Sequence, residues 1–226
     1  MTKEEVKTRI EEIGIIPAIR VSSAAEALFA AETVFDNGIP IVEVTMTVPG
    51  AIELISNLAR NSRELIIGAG SLWDVETAKR CLDAGANFLT STGLDLELVH
   101  FAVEEKVTVF PGALTPTEVA AAWKAGSDFV KIFPCAQLGG HTYIRALQGP
   151  FPQIPFIASG GVNQQTASDF ILAGAVALGI GGALIPHEAI QQRNAHWIAE
   201  LARRFLTIVK RARNQNHQNR GETVKG

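Results

Sequence analysis

Short apolar runs alternate with longer stretches of helical composition along most of the chain. The runs 15–20 (IIPAIR), 41–46 (IVEVTM), 64–70 (ELIIGAG) and 87–91 (NFLTS) have the length and residue content of buried strands. So do 107–112 (VTVFPG), 128–134 (DFVKIFP), 155–161 (PFIASGG) and 176–182 (VALGIGG). Between them, Ser23 to Glu26 and Thr115 to Glu118 have the capping-box form that opens a helix, with Pro116 at a first helical position. Gly38, Gly85, Gly126 and Gly174 each close a helical run ahead of a strand, as left-handed caps do.

Eight strand–helix units without a composition break predict one α/β domain, a closed parallel (β/α)8 barrel (TIM barrel) over residues 1–212. The charged start, MTKEEVKTRIEEIG, adds a helix ahead of the first strand. The polar stretch 213–226 is expected to be a disordered tail. An open doubly wound sheet is the competing architecture, but no G-x-G-x-x-G turn follows the first strand.

Composition removes several classes of function. A hydrophobic fraction of 47% supports a large core, yet no apolar run is long enough to span a membrane. The net charge of −3 is scattered, without the basic stripe a nucleic-acid surface needs. The N-terminus has no apolar leader region, so the expected compartment is the cytoplasm. Cys81 and Cys135 follow no disulfide or metal spacing and are expected to be free thiols. His100, His141, His187, His196 and His217 form no metal pattern, so no metal is expected. Trp73, Trp123 and Trp197 lie within or beside helical runs and read as packing residues.

Two charges interrupt this apolar pattern. Lys131 stands between Phe129-Val130 and Ile132-Phe133, and strand alternation puts Phe129, Lys131 and Phe133 on one face. Burial of an amine favours its neutral form, which attacks carbonyl groups. Glu43 is the second, inside IVEVT with Ile41 and Thr45 on its face. The pair reads either as a structural ion pair or as a Schiff-base lysine with a carboxylate that moves its protons. The last two strands end in glycine pairs, Gly160-Gly161 and Gly181-Gly182, where backbone N–H groups can approach an anion. Phosphate is the anion this pattern suggests.

The segments GIIPAIR, IVEVTMTVPGA, IIGAGSL, FPGALTPTE, FVKIFPCAQLGG, IASGGVN and GIGGAL, in this order, resemble the 2-keto-3-deoxy-6-phosphogluconate (KDPG) and 4-hydroxy-2-oxoglutarate (KHG) aldolases. The resemblance spans residues 10–210. It implies a class I carbon–carbon lyase that releases pyruvate and glyceraldehyde 3-phosphate. No cofactor other than the covalent Schiff base on Lys131 is implied. It gives Glu43 the proton shuttle and Phe133 the pocket wall. Ser71 and Ser159 keep hydroxyls where threonines are common, and Gly160, Gly161, Gly181 and Gly182 match phosphate-binding positions. Thr47 stands where some members carry a carboxylate-binding arginine, a charge that Arg20 can supply instead. Thr92 replaces a proline, and Ala183 stands in place of a serine. The implied partners are a phosphorylated keto-acid substrate and two further copies of the chain, as a homotrimer. Competing readings are a phosphate-binding barrel isomerase or epimerase, with Glu43 as base, and a non-catalytic binding protein on a barrel scaffold.

Overall fold

The computed structural model describes residues 1–223. Its strands are β1 (Ile15–Ile19), β2 (Ile41–Thr45), β3 (Ile66–Leu72), β4 (Phe88–Ser91) and β5 (Thr108–Phe110). They continue with β6 (Gly112–Ala113), β7 (Val130–Ile132), β8 (Phe156–Ser159) and β9 (Ala175–Ile180). The helices are α1 (Lys3–Ile13), α2 (Ala24–Asp36), α3 (Ala51–Asn61), α4 (Val75–Asp83) and α5 (Leu96–Glu104). After them come α6 (Pro116–Lys124), α7 (Gly140–Gln148), α8 (Ala167–Leu172), α9 (His187–Gln191) and α10 (Ala195–Thr223).

All strand pairs are parallel, in the order β5-β4-β3-β2-β1-β9-β8-β7-β6. The first and last strands of that order are halves of one predicted strand, 107–112, divided at Pro111. Proline has no N–H to give a ladder. Its carbonyl still accepts from Lys131 N at 3.0 Å. Because β5 pairs with β4 while β6 pairs with β7, Pro111 is the corner at which the sheet closes. The fold is the expected (β/α)8 barrel, with eight staves drawn as nine segments.

The barrel interior is layered. Ile16, Ile41, Ile66, Phe88, Phe110, Phe129, Ile157 and Ala177 point inward from the lower ends of the strands and cluster with Val6 and Ile10 of α1. Phe88 and Phe110 stack at 5.1 Å, and Phe129 meets Phe110 edge-on at 6.1 Å. Thus α1 plugs the N-terminal mouth. Its Lys3 and Lys7 reach the buried Asp128 at 3.0 and 3.6 Å. Helices pack the strands' outer faces into a second, larger core.

Local signals hold with one adjustment. Thr115 and Glu118 form a complete capping box with Pro116 inside it. Ser23 caps the N–H of Glu26, but the Glu26 carboxylate turns to the N–H and hydroxyl of Ser22, so that box is incomplete. The glycines closing helical runs are all left-handed, at φ of 90° (Gly38), 107° (Gly85), 95° (Gly126) and 108° (Gly174).

The stretch from 213 onward departs from expectation. It continues α10 to Thr223. Arg213 donates to the carbonyls of Glu11, Glu12 and Val176, and Asn216 donates to that of Ile171. These contacts anchor a polar sequence that composition alone marks as frayed. Residues 224–226 of the expected tail lie outside the described residues. Trp73 also departs: it is 64% exposed, on the turn between β3 and the Asp74 N-cap of α4, whereas Trp123 and Trp197 pack against the core.

Candidate active site

Above the apolar layers the C-terminal ends of the strands surround a cavity of about 520 Å³. Lys131 from β7 and Glu43 from β2 form part of its wall, only 6% and 3% exposed. Lys131 Nζ lies 3.5 Å from Glu43 Oε2 across the barrel. Strand alternation puts Phe129 in the layer below Lys131 and Phe133 at the rim, with Nζ 5.9 Å from the Phe133 ring centre. Such a pair is costly to bury unless both charges are used or fully bonded. Here both reach an open cavity, and the amine sits beside a carboxylate able to take and return protons.

One wall is built from backbone. Gly160 and Gly161 follow β8 with consecutive left-handed φ values of 86° and 82°. A Cβ on Gly161 would fall 2.4 Å from that of Ala136. After β9, the turn Gly181 to Ile185 is closed by bonds from the Leu184 and Ile185 N–H groups to the Gly181 carbonyl. No hydrogen bond among the described residues occupies the N–H groups of Gly161, Gly182 or Ala183. Unpaired N–H groups on two adjacent loops suit the oxygens of an anion. The Ser159 side chain lies below them, in space left by Gly179, where a Cβ would stand 2.6 Å from the Ser159 hydroxyl.

The opposite flank carries the second cation. Arg20, exposed at the end of β1, lines the cavity, and its guanidinium donates to Ser71 Oγ at 3.4 Å. Ser71 sits in a β-bulge: between Ala69 and Leu72 strand β3 advances one residue more than β4. Its φ is +58°, sparsely allowed for a side chain with a Cβ. The cavity therefore gathers Arg20, Glu43, Thr92, Lys131, Phe133, Ser159, Gly160, Gly161, Gly181 and Gly182 of the expected site. Ser71 joins through Arg20. Thr47 is not gathered: it is exposed, and its hydroxyl pairs with that of Thr45 at 2.7 Å.

The sequence of a family model, KDPG and KHG aldolase, matches residues 6–201. The chain belongs to the KDPG and KHG aldolase family. It is therefore an aldolase, a carbon–carbon lyase. The 2-dehydro-3-deoxy-phosphogluconate aldolase of Haemophilus influenzae is 28% identical over 210 residues, 92% of this chain and 99% of that protein. The KHG/KDPG aldolase of Escherichia coli K12 is 30% identical over 197 residues, 87% of this chain and 92% of the relative. Among solved structures, the KDPG aldolase of Legionella pneumophila, with pyruvate captured as a covalent carbinolamine intermediate, superposes with a TM-score of 0.81. It is 30% identical and covers 87% of this chain and 95% of that one.

The two cysteines of this aldolase are buried thiols. Burial pushes the Cys81 thiol up to about 11 and the Cys135 thiol up to about 12, far from thiolate at neutral pH. Among the described residues no cluster of His, Cys, Asp or Glu could hold a metal, and no helix is long and apolar enough to cross a membrane. Sequence reading passed over Ala18 and Gly179, two wall residues without a polar group. Their signal is inward strand parity combined with small size. Asn163 lines the cavity, but its Oδ1 accepts from the N–H groups of Gln165 and Thr166, which makes it chiefly a turn residue.

Proposed function

We propose that this aldolase cleaves 2-keto-3-deoxy-6-phosphogluconate to pyruvate and glyceraldehyde 3-phosphate through a Schiff base on Lys131. The observation that carries the reading is the Lys131–Glu43 pair, 3.5 Å apart in a cavity with Arg20 on one flank and free loop N–H groups on the other. That arrangement offers one anion site to the substrate carboxylate and another to its phosphate, with the keto carbon between them.

In this reading Lys131 passes a proton to Glu43 and its freed amine adds to the C2 carbonyl. Glu43 relays a proton to the new alkoxide, and loss of water leaves the iminium. The C4 hydroxyl then gives its proton to the Glu43 carboxylate and the C3–C4 bond breaks. Its electrons become the C2–C3 double bond of an enamine as the C=N pair returns to nitrogen, and the aldehyde departs. Glu43 returns a proton to C3, and water hydrolyses the iminium to free pyruvate and Lys131. Arg20, held by Ser71, takes the carboxylate in place of the arginine absent at Thr47. Thr92 and Phe133 bound the pocket, Ser159 meets a substrate hydroxyl, and Gly160, Gly161, Gly181 and Gly182 hold the phosphate.

The cytoplasm is the proposed compartment, supported by two free buried cysteines. A homotrimer is the proposed assembly, supported by the family resemblance and by Trp73, a large apolar side chain left in solvent. Light scattering on the purified protein tests it: a trimer mass supports the reading, and a monomer overturns it.

The chemistry is tested by incubation with pyruvate and borohydride, followed by peptide mass mapping. A permanent adduct on Lys131, lost in Lys131→Ala, is the expected result. No adduct under conditions that label a control aldolase overturns the reading. Pyruvate release from phosphorylated and unphosphorylated keto-deoxy acids, and from 4-hydroxy-2-oxoglutarate, tests the substrate. Release from unphosphorylated acids alone would refute the phosphate role of the glycine loops.

A further inference from the structure

Above Ile66, the inner face of β3 carries no side chain at two successive positions. Gly68 and Gly70 share that face, and each is filled by a neighbour. A Cβ on Gly68 would clash with the Phe88 ring, 1.9 Å from its nearest atom. A Cβ on Gly70 would fall 2.1 Å from Glu43 Oε1 and 2.5 Å from both Cδ and Cγ of Glu43. Gly70 does not have a left-handed φ, so it answers a demand for space rather than for an unusual backbone. The Phe88 contact belongs to the apolar layer. The Glu43 contact belongs to the cavity.

We infer that Gly70 is a positioning residue for proton transfer: its missing side chain is the seat in which the Glu43 carboxylate lies beside Lys131. The inference rests on the Schiff-base reading above. Three consequences of the geometry support it. The Glu43 side chain reaches Lys131 while lying across β3, and β2 pairs with β3 in register with Thr45 opposite Gly70. No other residue type leaves that space empty. The next residue, Ser71, takes up the bulge, so β3 keeps an ordinary backbone at Gly70 and still turns a hydroxyl toward Arg20. A methyl group at residue 70 would therefore move the carboxylate and leave the lysine on its own strand untouched.

The step most sensitive to that displacement is proton exchange at the methyl group of bound pyruvate. Glu43 takes a proton from C3 of the iminium, the C–H electrons form the C2–C3 double bond, and the C=N pair returns to nitrogen. In D2O a deuteron comes back to C3, and the methyl signal of pyruvate fades in proton NMR.

The experiment compares wild type, Gly70→Ala, Glu43→Ala and the double variant for three readouts: borohydride-trapped adduct at saturating pyruvate, methyl exchange, and melting temperature. Gly70→Ala is expected to keep the adduct on Lys131 while exchange falls about 100-fold, the scale of general acid–base catalysis. In the Glu43→Ala background, where the clashing atoms are gone, Gly70→Ala should cost nothing further in exchange or melting temperature. If Gly70→Ala alone does not fold, recovery of folding in the double variant supports the shared seat, and failure to recover it overturns the inference. Equal losses in both backgrounds, or exchange within threefold of wild type in Gly70→Ala, also overturn it. Absence of adduct from the wild-type protein overturns the Schiff-base reading and this one together, whereas wild-type adduct with unaltered exchange in Gly70→Ala overturns this one alone.

Discussion

Arg20 and Lys131 are the two cations lining the cavity, and they are held in different ways. Lys131 is fixed by a buried strand and a carboxylate, whereas Arg20 is exposed and, among the described residues, tied through the hydroxyl of a backbone-strained Ser71. A guanidinium held so lightly can close on a carboxylate in two parallel hydrogen bonds, the geometry arginine suits best. Removing the charge with Arg20→Gln should cost about 1.5–3 kcal/mol of binding, the range for hydrogen bonds to charged groups, hence roughly a 10- to 100-fold rise in KM. Steady-state kinetics would show that rise with kcat little changed. The informative comparison is pyruvate, which has the carboxylate and no phosphate. Its apparent affinity in methyl exchange should weaken by the same factor as that of the full substrate. If pyruvate binding is unaffected, Arg20 serves the phosphate end instead. At this scale the sequence was a good guide to charges in apolar runs, which stand out by contrast. It was silent on Gly70, since a residue whose function is an absent side chain looks like any other glycine in a strand.

Elements were legible wherever the signal is local. The Thr115–Glu118 box is reciprocal: Glu118 N donates to Thr115 Oγ1 at 3.3 Å, and Thr115 N donates to Glu118 Oε2 at 2.7 Å. Losing the hydroxyl in Thr115→Ala should cost about 1 kcal/mol, seen as a fall of about 2–4 °C in melting temperature. The carboxylate half adds a pH signature. Hydrogen bonding to the Thr115 N–H, ahead of smaller contributions, holds Glu118 below its ordinary 4.5. A depressed folded value means the stabilisation is complete above pH 4.5 and is lost as the pH falls through the folded value. Wild type and Glu118→Gln should therefore differ most in melting temperature near neutrality and converge in acid. No gap anywhere in that range would assign the cap's strength to the hydroxyl, and a constant gap would assign it to a property of Glu118 that does not titrate. Long-range geometry was not legible in the same way. Nothing in VTVFPG shows that Pro111 splits the run between two neighbours, because the split depends on which strands flank it once the barrel closes. The exposure of Trp73 likewise depends on the turn it occupies at the rim, where helical spacing predicts burial.

The whole molecule separates its two ends. The candidate site lies at the C-terminal ends of the strands, while the N-terminal mouth is sealed by α1 and clamped from outside by α10, as the division of labour in such barrels predicts. The clamp is Arg213. Its guanidinium donates to Glu12 O at 2.6 Å, Glu11 O at 2.5 Å and Val176 O at 2.8 Å. The first two are carbonyls at the C-terminal end of α1, where the helix dipole favours a cation. Desolvation lowers the Arg213 pKa, yet an arginine remains charged at any working pH. The side chain was hidden from sequence reading because its acceptors are backbone atoms, which leave no trace in composition, and because polar residues around it suggest a tail. Arg213→Met keeps most of the length and removes all the donors, leaving these carbonyls to find water. A loss of about 2 kcal/mol is expected, hence a fall of about 4–8 °C in melting temperature. Borohydride trapping on Lys131 and pyruvate release at 25 °C should be unchanged, since the cavity lies at the other end of the barrel. A melting temperature within 1 °C of wild type would show that water replaces the guanidinium without cost. A selective loss of activity at unchanged stability would mean that the two ends of the barrel are coupled through β9, the strand that contributes both Val176 and Gly179.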